Sequence, residues 1–235
     1  WDPYAETMSY PFAIKPQKKL SVQDVMTMLR GHMAGTPFDM EAENAWNVRE
    51  GDNMVKSPLA TPFATKDVRN LLGIPYSRPI SKWDCAYSFV SQVRSGYPAP
   101  VRTVLWFGYD NPHTTCYVPI YSGVLETKKS WRTFDRNTFS LDSAQWAFIL
   151  ADDLVNHRYQ EAMEDLKAVR DPLEQGFAKQ VLEADKKALE LAKKDPAKAQ
   201  EYLTKFTSDC MEKAEKAWWQ LNWDLISKYN NNKKK

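Results

Sequence analysis

VRTVLWFGYDNPHTTCYVPIY, residues 101–121, sets two runs of β-branched and aromatic side chains around a cluster of turn formers. Such side chains fit a pleated, half-buried surface, so residues 101–109 and 114–121 each predict a strand. Asp110-Asn111-Pro112-His113 between them is turn chemistry, and the whole stretch predicts an antiparallel hairpin. Pro119 has no backbone donor and belongs at a strand end or a sheet edge. Just upstream, residues 86–93 (AYSFVSQV) predict a further strand, with Tyr87, Phe89 and Val93 on one face.

Outward from this centre the chain has two compositions. All but one of the eight glycines and all but two of the fourteen prolines precede residue 140. Residues 1–140 therefore read as an α/β portion of short strands, pocket loops and few helices, and 141–235 as a long-helix region. A helix is expected from Ser21, because Ser21-Val22-Gln23-Asp24 resembles a capping box and Val22, Val25, Met26 and Leu29 follow at helical spacing. Gly31 and Gly35 should end it. Residues 40–82, broken by Pro58, Pro62, Pro75 and Pro79, give no element and read as chain laid over a surface. After Ser140 the period becomes helical. One helix is expected from about Asp142 to Val169. A second should open at Asp171-Pro172 and a third at Asp195-Pro196, each with a cap followed by proline at the first helical position. Asn230–Lys235 reads as a frayed tail.

Composition excludes several classes. The chain has 235 residues, 43% of them hydrophobic and 26% charged, which are globular values. A net charge of +2 makes no electrostatic case for nucleic acid. No run of 18 apolar residues is present to span a membrane. The three cysteines, Cys85, Cys116 and Cys210, lack metal-type spacing and are odd in number, which predicts no disulfide framework and leaves room for one bridge at most. His32, His113 and His157 make no HxxxH pair, so a zinc site has no support. Phosphate loops and G-x-S-x-G elbows are absent.

Two groupings remain. Residues 30–39 (RGHMAGTPFD) crowd polar side chains around two glycines past a helix end, so Arg30, His32 and Asp39 could line a polar pocket or simply anchor the helix. Cys85 or Cys116 could serve as a nucleophile, Cys116 beside His113, if a base lowered the thiol pKa. Trp218, Trp219 and Trp223 form a helix face suited to docking, so a non-catalytic helical protein-interaction module is the competing function and a homo-oligomer a candidate assembly.

Four ordered stretches then resemble one family. MLRGHMAGTPFDM (28–40), YSRPISKWDCAYSFVSQVR (76–94), VLWFGYDNPHTTCYVPIYSG (104–123) and FDRNTFSLDSAQWAFILADDLVNHRY (134–159) are similar to segments of the bacterial cysteine dipeptidases related to dipeptidase A. The resemblance covers about residues 8–165. It implies an N-terminal-nucleophile hydrolase: an αββα sandwich of antiparallel strands in which a cysteine freed as residue one attacks a peptide carbonyl and its own α-amino group is the base. It further implies dipeptide substrates and no metal or cofactor. Here residue one is Trp1, which has no nucleophilic atom. The expectation is therefore an α+β chain forming the C-terminal half of that sandwich, followed by a helical bundle, with the missing N-terminal half as its partner. Arg78, in Tyr-Ser-Arg-Pro-Ile-Ser, is the candidate by resemblance for the arginine that orients the thiolate. Arg30, His32 and Asp39 fall in the family motif and are the substrate-binding candidates. With any leader gone, the compartment is left open.

Overall fold

The computed structural model describes residues 13–229; Trp1 and the tail from Asn230 lie outside the described residues. The architecture is α+β, with two small antiparallel sheets followed by long helices. Helix α1 spans Val22–Leu29. Its capping box is complete: the Ser21 side chain accepts from the Asp24 amide, and the Asp24 carboxylate accepts from the Ser21 amide. The helix ends on Arg30 in right-handed geometry. The left-handed residues are Met33 and Gly35, not Gly31.

The segment expected to be structureless holds more than predicted. Strands β1 (Asn47–Glu50) and β2 (Asn53–Lys56) form a hairpin about Gly51, whose φ is +60°. Helix α2 (Lys66–Leu72) starts on a Thr65 cap and stops at left-handed Gly73. Met40, Trp46, Ala60 and Ile74 give this segment a small buried cluster of its own. The prolines lie in the connections, and the elements between them are too short to show a period.

The central sheet is β3 (Tyr87–Val93), β4 (Thr103–Tyr109) and β5 (Val118–Tyr121), in that order and antiparallel throughout. Val101 and Arg102 belong instead to a short helix, α3 (Ala99–Arg102), that leads into β4. Val90 faces Trp106 across the β3–β4 pair, and both are buried in one cluster with Met26 of α1. The opposite face is open along β3, where Tyr87, Phe89 and Val93 are 56%, 51% and 67% exposed, while Trp131 packs on Phe107 and Tyr109 at its β4 end. The rings of Tyr87, Phe89 and Phe107 stack along it. β3 is an edge strand, so the open face ends at an unpaired row of backbone groups.

The helices depart from expectation at one boundary. α4 spans Ala144–His157, and the chain breaks at Arg158. α5 then runs Tyr159–Lys194 straight through Pro172. Asp171-Pro172 therefore opens no helix. Proline removes one bond and crowds the preceding turn, but Arg170, Leu173 and Phe177 on either side are buried, and that packing holds the helix. The break falls at Arg158 because the loop before α2 captures the next residues: the Gln160 amide donates to Pro58 O at 3.1 Å, and its side chain donates to Ala60 O at 2.7 Å.

α6 (Pro196–Lys228) begins as expected, with Asp195 accepting from the Ala197 and Lys198 amides. Its stripe Leu203, Cys210, Ala214, Trp218, Leu221 and Leu225 is buried, and Trp218 stacks on Phe148 of α4 at 5.0 Å. One main core draws on residues from Met26 to Tyr229. Asp195→Ala should cost about 1 kcal/mol, the usual loss of an N-cap, read as a shift in the urea midpoint at constant slope.

Candidate active site

Residues 110–117 join β4 to β5 and, past half-buried Asp110, are buried, although most of them are polar. Buried polar groups must find partners, and these find them across the whole chain. Asn111 turns the loop, its side-chain oxygen accepting from the His113 amide and from Ser81 Oγ. Its amide nitrogen donates to Asp152 of α4 at 3.0 Å, where Thr114 Oγ1 also donates at 2.7 Å. Asp152 is thus a buried carboxylate held by two loop side chains, with Asp110 and Asp153 nearby. Burial, together with the neighbouring carboxylate charge, pushes the Asp110 and Asp152 carboxyls well above the usual range.

Arg30 fastens the end of α1 to the same loop. Its Nε donates to Pro112 O and its Nη2 to Thr115 O. Nη2 also meets Glu174 of α5 at 2.6 Å, and the same carboxylate oxygen accepts from the Tyr117 amide at 2.7 Å. The guanidinium lies over the Tyr117 ring. Arg170, also from α5, donates Nη1 to His113 O at 2.7 Å.

His113 completes the set. Its Nδ1 is 3.1 Å from the Arg30 carbonyl, which can only accept, so Nδ1 carries the proton. Nε2 then accepts from the Tyr159 hydroxyl at 2.7 Å. Both partners suit a neutral imidazole. Burial, with His32, Arg170 and Arg30 adding like charge, pulls the His113 pKa down to about 3. Burial likewise raises the Tyr159 phenol, which stays a donor. The break at Arg158 is what brings Tyr159 to this position, at the first turn of α5.

Backbone strain concentrates here as well. Met33 (φ 66°) and Asp110 (φ 64°) are the non-glycine residues with positive φ among the described residues, and one follows His32 while the other precedes Asn111. Strain of this kind is held where surrounding contacts over-determine the backbone, typically at functional sites.

A cleft of about 960 Å³ opens between α1 and α5 above this network, with Arg30, His32, His113, Arg170 and Glu174 in its wall and Trp106 of β4 among its apolar lining. The predicted residues fare unequally. Arg30 and His32 come together there, His32 edge-on to His113 with ring centroids 4.6 Å apart and its Nε2 3.8 Å from Glu41. Asp39 does not reach the wall. It accepts from the Gly35 and Glu41 amides and so pins the loop that carries Glu41. Arg78 is exposed and has no hydrogen-bond partner among the described residues. Its neighbours connect to the site, since Ser81 N donates to Gly31 O and Ile80 lines the cleft.

The surroundings of the three thiols disfavour the thiolate. Cys116 and Cys210 are buried, and burial pushes both thiols up. Half-buried Cys85 is shifted in the same direction for the same reason. An attacking sulfur needs the opposite shift. Sequence reasoning missed Asn111, Asp152, Tyr159, Arg170 and Glu174. The signal for the first lay in the run Asn111–Thr115, polar residues between two apolar strands.

The sequence model of peptidase family C69 matches residues 2–171. A protein of Latilactobacillus sakei described as a probable dipeptidase is 26% identical over 141 residues, 60% of this chain. The matched stretch spans 24% of that relative's length.

Proposed function

The chain belongs to peptidase family C69, and on that footing we propose that it is the pocket-bearing part of a dipeptidase. The observation that carries this reading is the extent of the match: Arg30, His32, His113, Asp152, Tyr159 and Arg170 all fall inside residues 2–171. In the proposed reaction a cysteine thiolate attacks the dipeptide carbonyl carbon. The C–N bond breaks, the departing amine takes up a proton, and water then hydrolyses the thioester to free the second amino acid and regenerate the thiol.

That thiolate belongs to polypeptide outside this chain. Two features support the assignment: the three thiols here are buried or half-buried with raised pKa values, and the match spans a quarter of the relative. The open face of the central sheet, with its stacked aromatics and unpaired β3 edge, suits a second sheet laid against it in an αββα N-terminal-nucleophile sandwich. Residues 1–140 then supply strands and pocket loops, and 141–235 the outer helices. Arg30 and His32 contact the dipeptide, and Asp39 acts through the loop it pins. Arg78, an exposed cation beside the site, orients the thiolate.

The test joins this chain to the N-terminal half of its enzyme. The joined protein should hydrolyse dipeptides, and a thiol alkylating agent should stop it; this chain alone should be inactive. Activity in the chain alone that disappears in Cys116→Ala would overturn the assignment, as would a joined protein that binds an unrelated protein stoichiometrically yet cleaves nothing. In the active protein Arg78→Lys should lower kcat/KM at least tenfold (about 1.4 kcal/mol of transition-state stabilisation), because lysine lacks the planar fork. Unchanged turnover would remove Arg78 from the site.

A further inference from the structure

The cleft between α1 and α5 keeps chemistry that the surrounding network does not consume. At about 960 Å³ it has room for a short peptide. Exposed Ile80 and half-buried Met33 and Ala178 give it an apolar surface over the buried Met26, Trp106 and Met163, and Arg30 and Arg170 stand beside them. A guanidinium carries five N–H donors. Arg30 uses Nε and Nη2 on Pro112, Thr115 and Glu174, and Arg170 uses Nε and Nη1 on Asp171 and His113. Nη1 of Arg30 and Nη2 of Arg170 have no acceptor among the described residues, and neither is sealed from solvent. Lys179 adds an ammonium to the rim, with no ion-pair partner among the described residues.

Unspent guanidinium donors in a partly dry wall suit a planar carboxylate. The other charges in the wall select among anions. Glu174 and Asp171 offset part of the positive charge, and Lys167, also in the wall, is paired with Glu164 at 2.7 Å; the charge left suits a single carboxylate better than a dianion such as phosphate. The apolar surface beside the arginines takes the side chain next to that carboxylate. We propose that this cleft seats the free α-carboxylate of a short peptide on Arg30 and Arg170, with the peptide's apolar C-terminal side chain against Ile80, Met33 and Ala178. The inference rests on the dipeptidase reading and names the end of the substrate that this chain holds. A fixed carboxylate anchor also sets the distance to the scissile bond, and so selects dipeptides by length.

The experiment titrates the 235-residue chain by calorimetry with Ala-Leu, with its C-terminal amide, and with inorganic phosphate. The acid should bind at least tenfold more tightly than the amide, and phosphate should not displace it. Arg170→Lys should reduce the acid's affinity to that of the amide. Because Arg170 also holds His113, a second variant, Ala178→Phe, fills the cleft from half-buried α5 and should abolish binding with an unchanged circular dichroism spectrum. Equal binding of acid and amide, displacement by phosphate, or wild-type affinity in Ala178→Phe would each overturn the proposal. The two readings separate in the joined enzyme. Equal hydrolysis of dipeptides and their amides refutes the carboxylate seat and leaves the dipeptidase reading standing. Acid-selective binding by this chain, with no hydrolysis by the joined protein, does the reverse.

Discussion

Arg30→Ala is expected to destabilise the fold by about 3–5 kcal/mol, the loss typical when one partner is stripped from a buried ion pair. The side chains of Arg30 and Glu174 are only 15% and 14% exposed, so water from the cleft replaces the lost contact only in part. The substitution strands Glu174, removes the donors to Pro112 O and Thr115 O, and uncovers the Tyr117 ring. For a chain of this size each kcal/mol lowers the midpoint by roughly 2–4 °C, so thermal melts should fall by about 10 °C. A double-mutant cycle separates the stranded charge from the rest. Glu174→Gln on the Arg30→Ala background should recover part of the loss, because a neutral amide is far cheaper to bury than an unpaired carboxylate. A loss under about 1 kcal/mol would mean that the pair behaves as a surface salt bridge, and that Arg30 does not organise the 110–117 loop.

What the sequence disclosed divides along physical lines. The α1 capping box, the Asp195 cap and the strands at 87–93 and 103–109 are encoded by neighbours a few residues apart, and these can be read without a structure. The end of α4 is not local. Asp171-Pro172 has all the chemistry of a helix start, yet the break occurs at Arg158, because Pro58 and Ala60, a hundred residues upstream, bind Gln160. Tertiary contacts outweighed a strong local signal. The site divides in the same way. Arg30 and His32 stood out because two glycines and a helix end frame them. Glu174 and Arg170 carry no local signal that sets them apart from the other charges of α5, and only folding brings them to Arg30 and His113. The apolar face of β3 was visible as a face, but the sequence could not say that it points outward.

His113 should give the protein an acid-sensitive component of stability. In the folded state burial, the neighbouring His32 and the cations Arg170 and Arg30 hold its pKa at about 3, whereas the unfolded chain has the ordinary value of 6.5. Below pH 6.5 the unfolded state therefore binds a proton that the native state refuses, and stability falls as pH falls. At about 1.4 kcal/mol per unit, the His113 contribution should drop by about 2 kcal/mol between pH 7.5 and pH 5. Asp110 and Asp152 act with the opposite sign. Their carboxyls are raised in the fold, so above the ordinary carboxylate range near 3.8 the native state holds protons that the unfolded state releases, and stability falls as pH rises towards neutrality. The wild-type profile is the sum of these terms, one imidazole against two carboxyls, so the His113 loss is masked in it. The diagnostic quantity is therefore a difference. The stability gap between wild type and His113→Gln should narrow by about 2 kcal/mol from pH 7.5 to pH 5, as the penalty of keeping His113 neutral grows in the wild type alone. Asp152→Asn should remove one of the two opposing carboxyls, so that the Asp110 and His113 terms largely cancel and stability varies little between pH 5 and 6.5. A His113→Gln gap that stays constant with pH would show that the imidazole accepts its proton in the native state, and the hydrogen bond from Tyr159 to Nε2 would then have to be given up.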